Sequence, residues 1–176
     1  PTFFGERTVL RILDKQRGVL SLTDIGLGTR ENSVVERLLT RTSGIILVTG
    51  PTGSGKTTTL YSALTQINSS DKNIITIEDP IEYIFKDDKA TINQREIGID
   101  CTNFDDALRA LVRENPDICL VGEMRDYETF EAAVRAAETG HLVFGTIHAS
   151  SAWQTFGRIY DLFPENERDQ IRKLLA

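Results

Sequence analysis

Residues 45–58 run Ile-Ile-Leu-Val-Thr-Gly-Pro-Thr-Gly-Ser-Gly-Lys-Thr-Thr, a short apolar strand leading straight into Gly50-x-x-x-x-Gly55-Lys56-Thr57. That is a phosphate-cradling P-loop, and it stands in the strand-to-helix setting the motif requires. Gly50, Gly53 and Gly55 let the backbone turn its N–H groups inward, with Pro51, Thr52 and Ser54 completing the loop. Lys56 is placed to reach the terminal phosphates, Thr57 to offer its hydroxyl to Mg²⁺, and Thr58 to add a helix-terminal N–H. The run Thr57-Thr-Thr-Leu-Tyr-Ser-Ala-Leu continues as a helix whose positive end faces the phosphates. A glycine-rich βα turn without a ligand is the plainer reading. The agreement of strand, loop, Lys-Thr pair and helix argues against it. The chain is expected to bind a nucleoside triphosphate.

Length and charge narrow the rest. A chain of 176 residues, 40% apolar and 26% charged, holds one full core plus a fragment. The net charge of −6 and pI near 5.0 disfavour nucleic acid as a partner, since no lysine- or arginine-rich stripe is present. No apolar stretch approaches the roughly 20 residues that a membrane-spanning helix needs. Cys101 and Cys119 lack a C-x-x-C companion, so a zinc site is not expected. Cys119, inside Ile118-Cys-Leu-Val121, is read as a small buried hydrophobe. Lone thiols fit a reducing compartment, the cytoplasm.

Along the chain, residues 6–13 read as a strand and Asp14–Arg30, with Gly18, Gly26 and Gly28, as a linker. Residues 1–28 are therefore assigned to the end of a preceding domain and its connection, and 29–176 to the main domain. Asn32–Arg41 has helical spacing at Val34, Val35, Leu38 and Leu39. Strands are then expected at Ile45–Thr49, Asn73–Ile77, Ala90–Gln94, Ile118–Val121 and Leu142–Ile147. Helices are expected at Lys56–Ile67, Phe104–Arg113, Glu128–Glu138, Ala152–Leu162 and Glu165–Leu175. Such alternation predicts an α/β fold with a mostly parallel, doubly wound sheet and ligands at the carboxyl ends of its strands. Both chain ends read as cut, the C-terminus inside an amphipathic pattern.

The residues just past each strand are then the ones that matter. Glu78, Asp79 and Glu82 follow the second strand, three carboxylates placed to order metal waters or activate an attacking water; a solvated turn is the alternative. Ile118-Cys-Leu-Val-Gly122-Glu123 is a hydrophobic strand ending in an acid, as in a Walker B motif. Gly122 stands where many P-loop enzymes have aspartate, so Glu123 is left to serve Mg²⁺ directly or through water. His141 and His148 flank the run Leu142–Ile147, about 23 Å apart on opposite faces if the run is one strand. They cannot share a metal ion. His148 sits at the carboxyl end, within reach of a γ-phosphate; His141, after Thr139-Gly140, is open to helix capping or to a subunit contact. Arg7, Arg11, Arg109 and Arg113 are the arginines considered for a neighbour's site, where one supplied in trans is worth about 10³–10⁵ in rate.

Taken together, these blocks resemble the secretion ATPases that power type II secretion and type IV pilus assembly and retraction. The resemblance rests on Gly5-Glu-Arg-Thr-Val-Leu-Arg11, on the P-loop through Tyr61, and on Thr76-Ile-Glu-Asp-Pro-Ile-Glu82, which looks like the family's aspartate box. It extends to Gly122-Glu-Met-Arg-Asp126, its atypical Walker B, and to Thr139-Gly-His141 with Thr146-Ile-His148, its histidine box. It covers nearly the whole chain.

The resemblance implies a RecA-like ATPase core using ATP and Mg²⁺. Glu82 would be the general base or water-positioning residue, Glu123 the Mg²⁺-side acid beside Thr57, and His148 the γ-phosphate sensor. It further implies a PAS-like N-terminal domain whose last strand carries Arg7 and Arg11 toward the nucleotide. A hexameric ring would work against a polytopic inner-membrane platform protein, at the cytoplasmic face of that membrane and without a transmembrane segment of its own. Asn115 and Ala149 depart from the family's usual aspartate and threonine, and a zinc-binding cysteine quartet is absent from the sequence. Gly5–Arg11 and Thr59-Leu-Tyr61 look like the assembly and secretion branch, whereas Ile92–Glu96, Gly122–Asp126 and Arg158–Pro164 look like retraction. Assembly or secretion is preferred, with retraction as the alternative. A nucleotide-gated assembly module with little hydrolysis is the rival from another class, and a RecA-like DNA motor comes third.

Overall fold

Short apolar runs separated by helices can bury both strand faces only by sandwiching a sheet between helical layers. The computed structural model describes Gly5, Thr8 and residues 20–68, 71–85 and 90–175. Its five strands are β1 (Gly44–Thr49), β2 (Asn73–Glu78), β3 (Thr91–Glu96), β4 (Ile118–Val121) and β5 (Leu142–Ile147). They form one sheet in the lateral order β1-β5-β4-β2-β3, and every neighbouring pair is parallel. The RecA-like α/β expectation holds. The strand expected at residues 6–13, with Arg7 and Arg11, lies outside the described residues apart from Thr8.

Burial follows lateral position. Every residue of β4 and β5 is buried, whereas β1 and β3, at the two edges, are half-buried or exposed. This explains why β4 and β5 are nearly uninterrupted apolar runs while β3 reads Thr-Ile-Asn-Gln-Arg-Glu. Along each strand, alternate residues serve different layers. Ile74, Leu120, Leu142 and Phe144 pack with Leu60, Ala63 and Leu64 of α2 (Lys56–Ile67). Val35 and Leu39 of α1 (Thr29–Leu39) lie on the same side. Ile75, Ile77, Cys119, Val121, Val143 and Ile147 face the other way, toward α3 (Phe104–Leu111) and α4 (Tyr127–Glu138). Burial pushes the Cys119 thiol up to about 12, which makes it the inert hydrophobe expected.

Beyond β5, α5 (Ala152–Leu162) and α6 (Arg168–Leu174) close the α4 side through Ile159, Phe163 and Ile171. The Phe163 ring meets Tyr127 and Phe130 edge-on at 5.0 and 5.9 Å. Leu22, within the segment read as linker, is 2% exposed and sits in the α2-side core. Several bounds differ from expectation: α1 runs Thr29–Leu39 and not Asn32–Arg41, β3 runs Thr91–Glu96 and not Ala90–Gln94, and two further helices are shortened by 3₁₀ turns. The α3 pattern stops at Leu111 and tightens into a 3₁₀ turn, Val112–Glu114, because Asn115 (φ +47) must precede Pro116 outside the right-handed helical region. The last helix divides into a 3₁₀ turn at Glu165–Glu167 and α6. Among the described residues no helix is long and apolar enough to cross a membrane.

Candidate nucleotide site at the carboxyl edge of the sheet

The strand order decides which loops meet. Along the carboxyl edge, the P-loop after β1 is followed by His148 after β5, Glu123 after β4 and Glu82 beyond β2. These residues line one cleft of about 520 Å³, together with Thr52, Gly53, Gly55, Lys56, Thr57, Thr58 and Asp79. Motifs as much as a hundred positions apart thus share one pocket at the carboxyl ends of a parallel sheet, where ligands gather in such folds.

At the P-loop, Gly55 caps α2 with φ +87, a left-handed conformation that any side chain would strain. It provides no side-chain cap, and the first return bond of the helix runs from Thr59 N–H to the Gly55 carbonyl at 2.9 Å. The N–H groups of Lys56, Thr57 and Thr58 therefore have no helical partner and face an anion site reinforced by the helix dipole. The Lys56 ammonium donates to the carbonyls of Gly50 (2.8 Å) and Pro51 (3.0 Å), which holds its charge against the loop.

Glu123 is braced from both sides by Thr146 of β5. The Thr146 hydroxyl donates to the Gly122 carbonyl at 2.6 Å, and its own carbonyl accepts from Met124 N–H at 2.9 Å. Arg125 donates to Glu123 Oε2 at 2.6 Å, and His148 Nε2 lies 3.2 Å from Oε1. Partial burial pushes the Glu123 carboxyl up, but the bond and charge of Arg125, with weaker pulls from His148 and Lys56, leave it below its ordinary value. It is ionised at neutral pH. The glycine before it answers to packing: a Cβ at Gly122 would stand 3.3 Å from the Glu78 Cα and 3.4 Å from the Ile77 carbonyl oxygen. The aspartate common at this position would crowd the end of β2.

Glu78, Asp79 and Glu82 all line the cleft as expected, but Glu78 differs from the other two in its burial. Asp79 is exposed and Glu82 half-exposed, but Glu78 is 3% exposed and turned under α2. There it accepts from the Tyr61 hydroxyl, from Thr76 Oγ1 at 2.6 Å and from Gln94 Nε2 at 3.3 Å. Burial raises the Glu78 carboxyl above its ordinary value, against the pull of those three donors. Burial and the adjoining carboxylate likewise push the Tyr61 phenol far up.

Tyr61→Phe should therefore cost about 1.5–3 kcal/mol at a pH where Glu78 is charged, the usual worth of a bond to a buried charged group. The sign with pH follows from linkage. A carboxyl whose folded pKa is raised binds its proton more tightly in the native state, so native stability rises as pH falls through that pKa. Losing the Tyr61 donor raises it further. The deficit of the variant should be full above its own folded pKa and shrink as pH falls through both folded values. Urea unfolding from neutral to acid pH reads this, and a deficit that does not change with pH would mean that Glu78 is never charged.

Of the two roles left open for His141, the structure shows the capping one. His141 is 7% exposed, with Nδ1 2.8 Å from the Ala136 carbonyl and 3.1 Å from Thr139 Oγ1, so it caps the C-terminal turn of α4 at the opposite end of β5 from His148. Arg109 pairs with Asp105 along α3 at 3.0 Å. Asn115 lies at the amino end of β4, away from the cleft, and its left-handed backbone suits asparagine. Ala149 contributes its carbonyl to Thr49 Oγ1 at 3.3 Å, which its side chain does not affect. Three residues escaped the sequence reading: Arg125 on Glu123, and Tyr61 and Gln94 beneath Glu78. The available signal was parity, since Thr76 and Glu78 put polar groups on the same β2 face as Ile74 and so require polar company.

A parallel α/β sheet with a P-loop at its edge and acids at the neighbouring strand ends defines a P-loop nucleotide-binding protein of RecA-like architecture. The family model described as type II/IV secretion system protein matches residues 1–175, and the chain belongs to that family. It is 48% identical over 173 residues to the type IV pilus retraction ATPase PilT of Pseudomonas aeruginosa, covering 98% of this chain and 48% of that protein. It is also 48% identical over 164 residues to the type II secretion system protein E of Pectobacterium carotovorum, covering 92% of this chain and 32% of that protein. A crystal structure of the pilus retraction motor PilT with bound ADP superposes with a TM-score of 0.83 at 53% identity, over 90% of this chain and 46% of that one. The chain thus spans half or less of the length of these relatives.

Proposed function

We propose that this chain is the nucleotide-binding and hydrolysing part of a ring-forming ATPase that powers type IV pilus assembly or type II secretion. The supporting observation is the alignment of P-loop, His148, Glu123 and Glu82 along one cleft. The ADP bound to the PilT neighbour supports the same ligand class here. In the proposed reaction water attacks the γ-phosphorus in line, the bond to the ADP oxygen breaks, and Glu82 orients the water and takes its proton. Lys56 and the α2 N-terminus hold the phosphate charge. His148, 3.2 Å from Glu123, reads whether a γ-phosphate is present.

Thr57 and Glu123 would hold Mg²⁺. The fit is good, because both line the cleft, Glu123 is ionised, and Mg²⁺ commonly takes only one or two protein oxygens beside water and phosphate. Once bound, the ion supplies neutralisation of phosphate charge. Thr146 keeps Glu123 in place, and Arg125 holds the carboxylate oriented.

The rival, a nucleotide-gated module with little hydrolysis, drew on Gly122, Asn115 and Ala149. Each has a packing or backbone account, which favours the motor. Retraction stays the alternative direction of work, since a retraction ATPase and a secretion protein match at equal identity. The hexameric ring, the polytopic platform partner and the cytoplasmic face of the inner membrane belong to the same proposal. Phosphate release per protomer, measured against concentration of the complete protein, tests it. Specific activity that climbs with concentration is expected, because sites are completed between subunits. Normal nucleotide binding with no release at any concentration would instead favour the gated module.

A further inference from the structure

Glu82 stands on the segment that follows β2, which belongs to no strand or helix, and two side chains of the edge strand β3 hold that segment. The Gln94 amide is used both ways: Oε1 accepts from Phe85 N–H at 2.8 Å and Nε2 donates to the Tyr83 carbonyl at 3.0 Å. Two residues further along the same face of β3, Glu96 Oε2 accepts from Ile81 N–H at 3.2 Å. The backbone is therefore tied on both sides of Glu82, much as Thr146 braces both neighbours of Glu123. Gln94 is in register with Thr76, and its Nε2 also reaches Glu78 Oε1 at 3.3 Å, which fixes the amide plane from behind. The Tyr61 ring adds an apolar backing, stacked on Phe85 at 4.8 Å and edge-on to Tyr83 at 5.2 Å. A side chain must carry donor and acceptor in one plane to grip a peptide this way, and the carboxamide of glutamine does. Gln94 itself does not line the nucleotide cleft.

We propose that Gln94 is a positioning residue for hydrolysis: it clamps Tyr83 and Phe85 so that Glu82 meets the attacking water, and it sets turnover rather than nucleotide affinity. This rests on Glu82 serving as the base or water-positioning group. A displacement of about 1 Å at a reacting group can cost roughly 10²-fold in rate, whereas phosphate binding at the P-loop does not pass through this segment.

The test uses the complete protein and compares Gln94→Leu, Gln94→Asn, Glu82→Gln and the double variant Glu82→Gln/Gln94→Leu. The measurements are kcat for ATP, affinity for a fluorescent ADP analogue, and the urea midpoint. Gln94→Leu should lower kcat at least about 10-fold with affinity unchanged within about twofold, and the double variant should be no slower than Glu82→Gln alone. Gln94→Asn keeps the amide but shortens its reach, so its kcat should fall between wild type and Gln94→Leu. Full kcat in either single Gln94 variant, or losses that multiply in the double variant, would overturn the clamp while leaving Glu82 in its role. Wild-type turnover by Glu82→Gln would remove Glu82 from the reaction and the clamp with it. Parallel falls in kcat, affinity and urea midpoint would reduce Gln94 to a purely structural residue.

Discussion

Lys56→Ala is expected to weaken ATP binding by at least about 10²-fold. Two charge-assisted bonds to phosphate, each worth about 1.5–3 kcal/mol, disappear together, and each 1.4 kcal/mol is a factor of ten. The geometry adds a second loss. The same ammonium ties the carbonyls of Gly50 and Pro51, so the alanine variant also loses the contacts that keep the loop closed over its own backbone N–H groups. The unfolding midpoint should hardly move, because Lys56 lines the cleft and belongs to neither core cluster. Titration with a fluorescent ATP analogue, run beside urea unfolding, separates the two. Retained affinity in the alanine variant would mean that the helix N-terminus alone carries the phosphates.

Glu82→Gln should leave nucleotide affinity near wild type and lower kcat by about 10²–10⁴-fold, the usual contribution of a positioned general base. The family resemblance points to Glu82, and the surroundings of its neighbours support that choice. Glu78 is buried and satisfied by three donors, and Glu123 is occupied by Arg125 and His148. Glu82 is half-exposed and lines the cleft. Glutamine keeps the size and hydrogen-bonding reach of the side chain but cannot take the proton. Quenched single-turnover ATP cleavage is the cleanest measure, because it reads the chemical step before product release. A kcat within about threefold of wild type would place the proton on another group, with Asp79 next to be tested since it lines the same cleft.

Much of the fold is local information. The P-loop, β4, β5, α2 and α5 lie where their periodicity puts them, because each is a run whose apolar spacing or cap declares its type within a few residues. Two of the misjudged ends are places where backbone chemistry overrode spacing, at Asn115-Pro116, or where a helix opened with a tighter turn, at Glu165–Glu167. The site was legible in the same uneven way. Lys56 was read from the P-loop motif, and Glu82, Glu123 and His148 because each comes after a strand; all four line the one cleft. Arg125 was overlooked beside Glu123, since its neighbour's charge and not its own position gives it a task.

The sequence by itself determined that a strand feeds a phosphate loop, that the sheet is parallel, and that acids and a histidine end its other strands. Those are codes of a few residues each: glycine where backbone N–H groups must converge, apolar alternation, a polar residue where an apolar run stops. Only the tertiary structure decided the lateral order β1-β5-β4-β2, which brings His148, Glu123 and Glu82 beside a loop as much as a hundred residues away. It alone showed that Glu78 turns inward to Tyr61, Thr76 and Gln94, and that a Cβ at Gly122 would stand 3.3 Å from the end of β2. The reason is physical: strand neighbours are chosen by which apolar faces bury best against one another, and that free energy belongs to the assembled core and to no single segment.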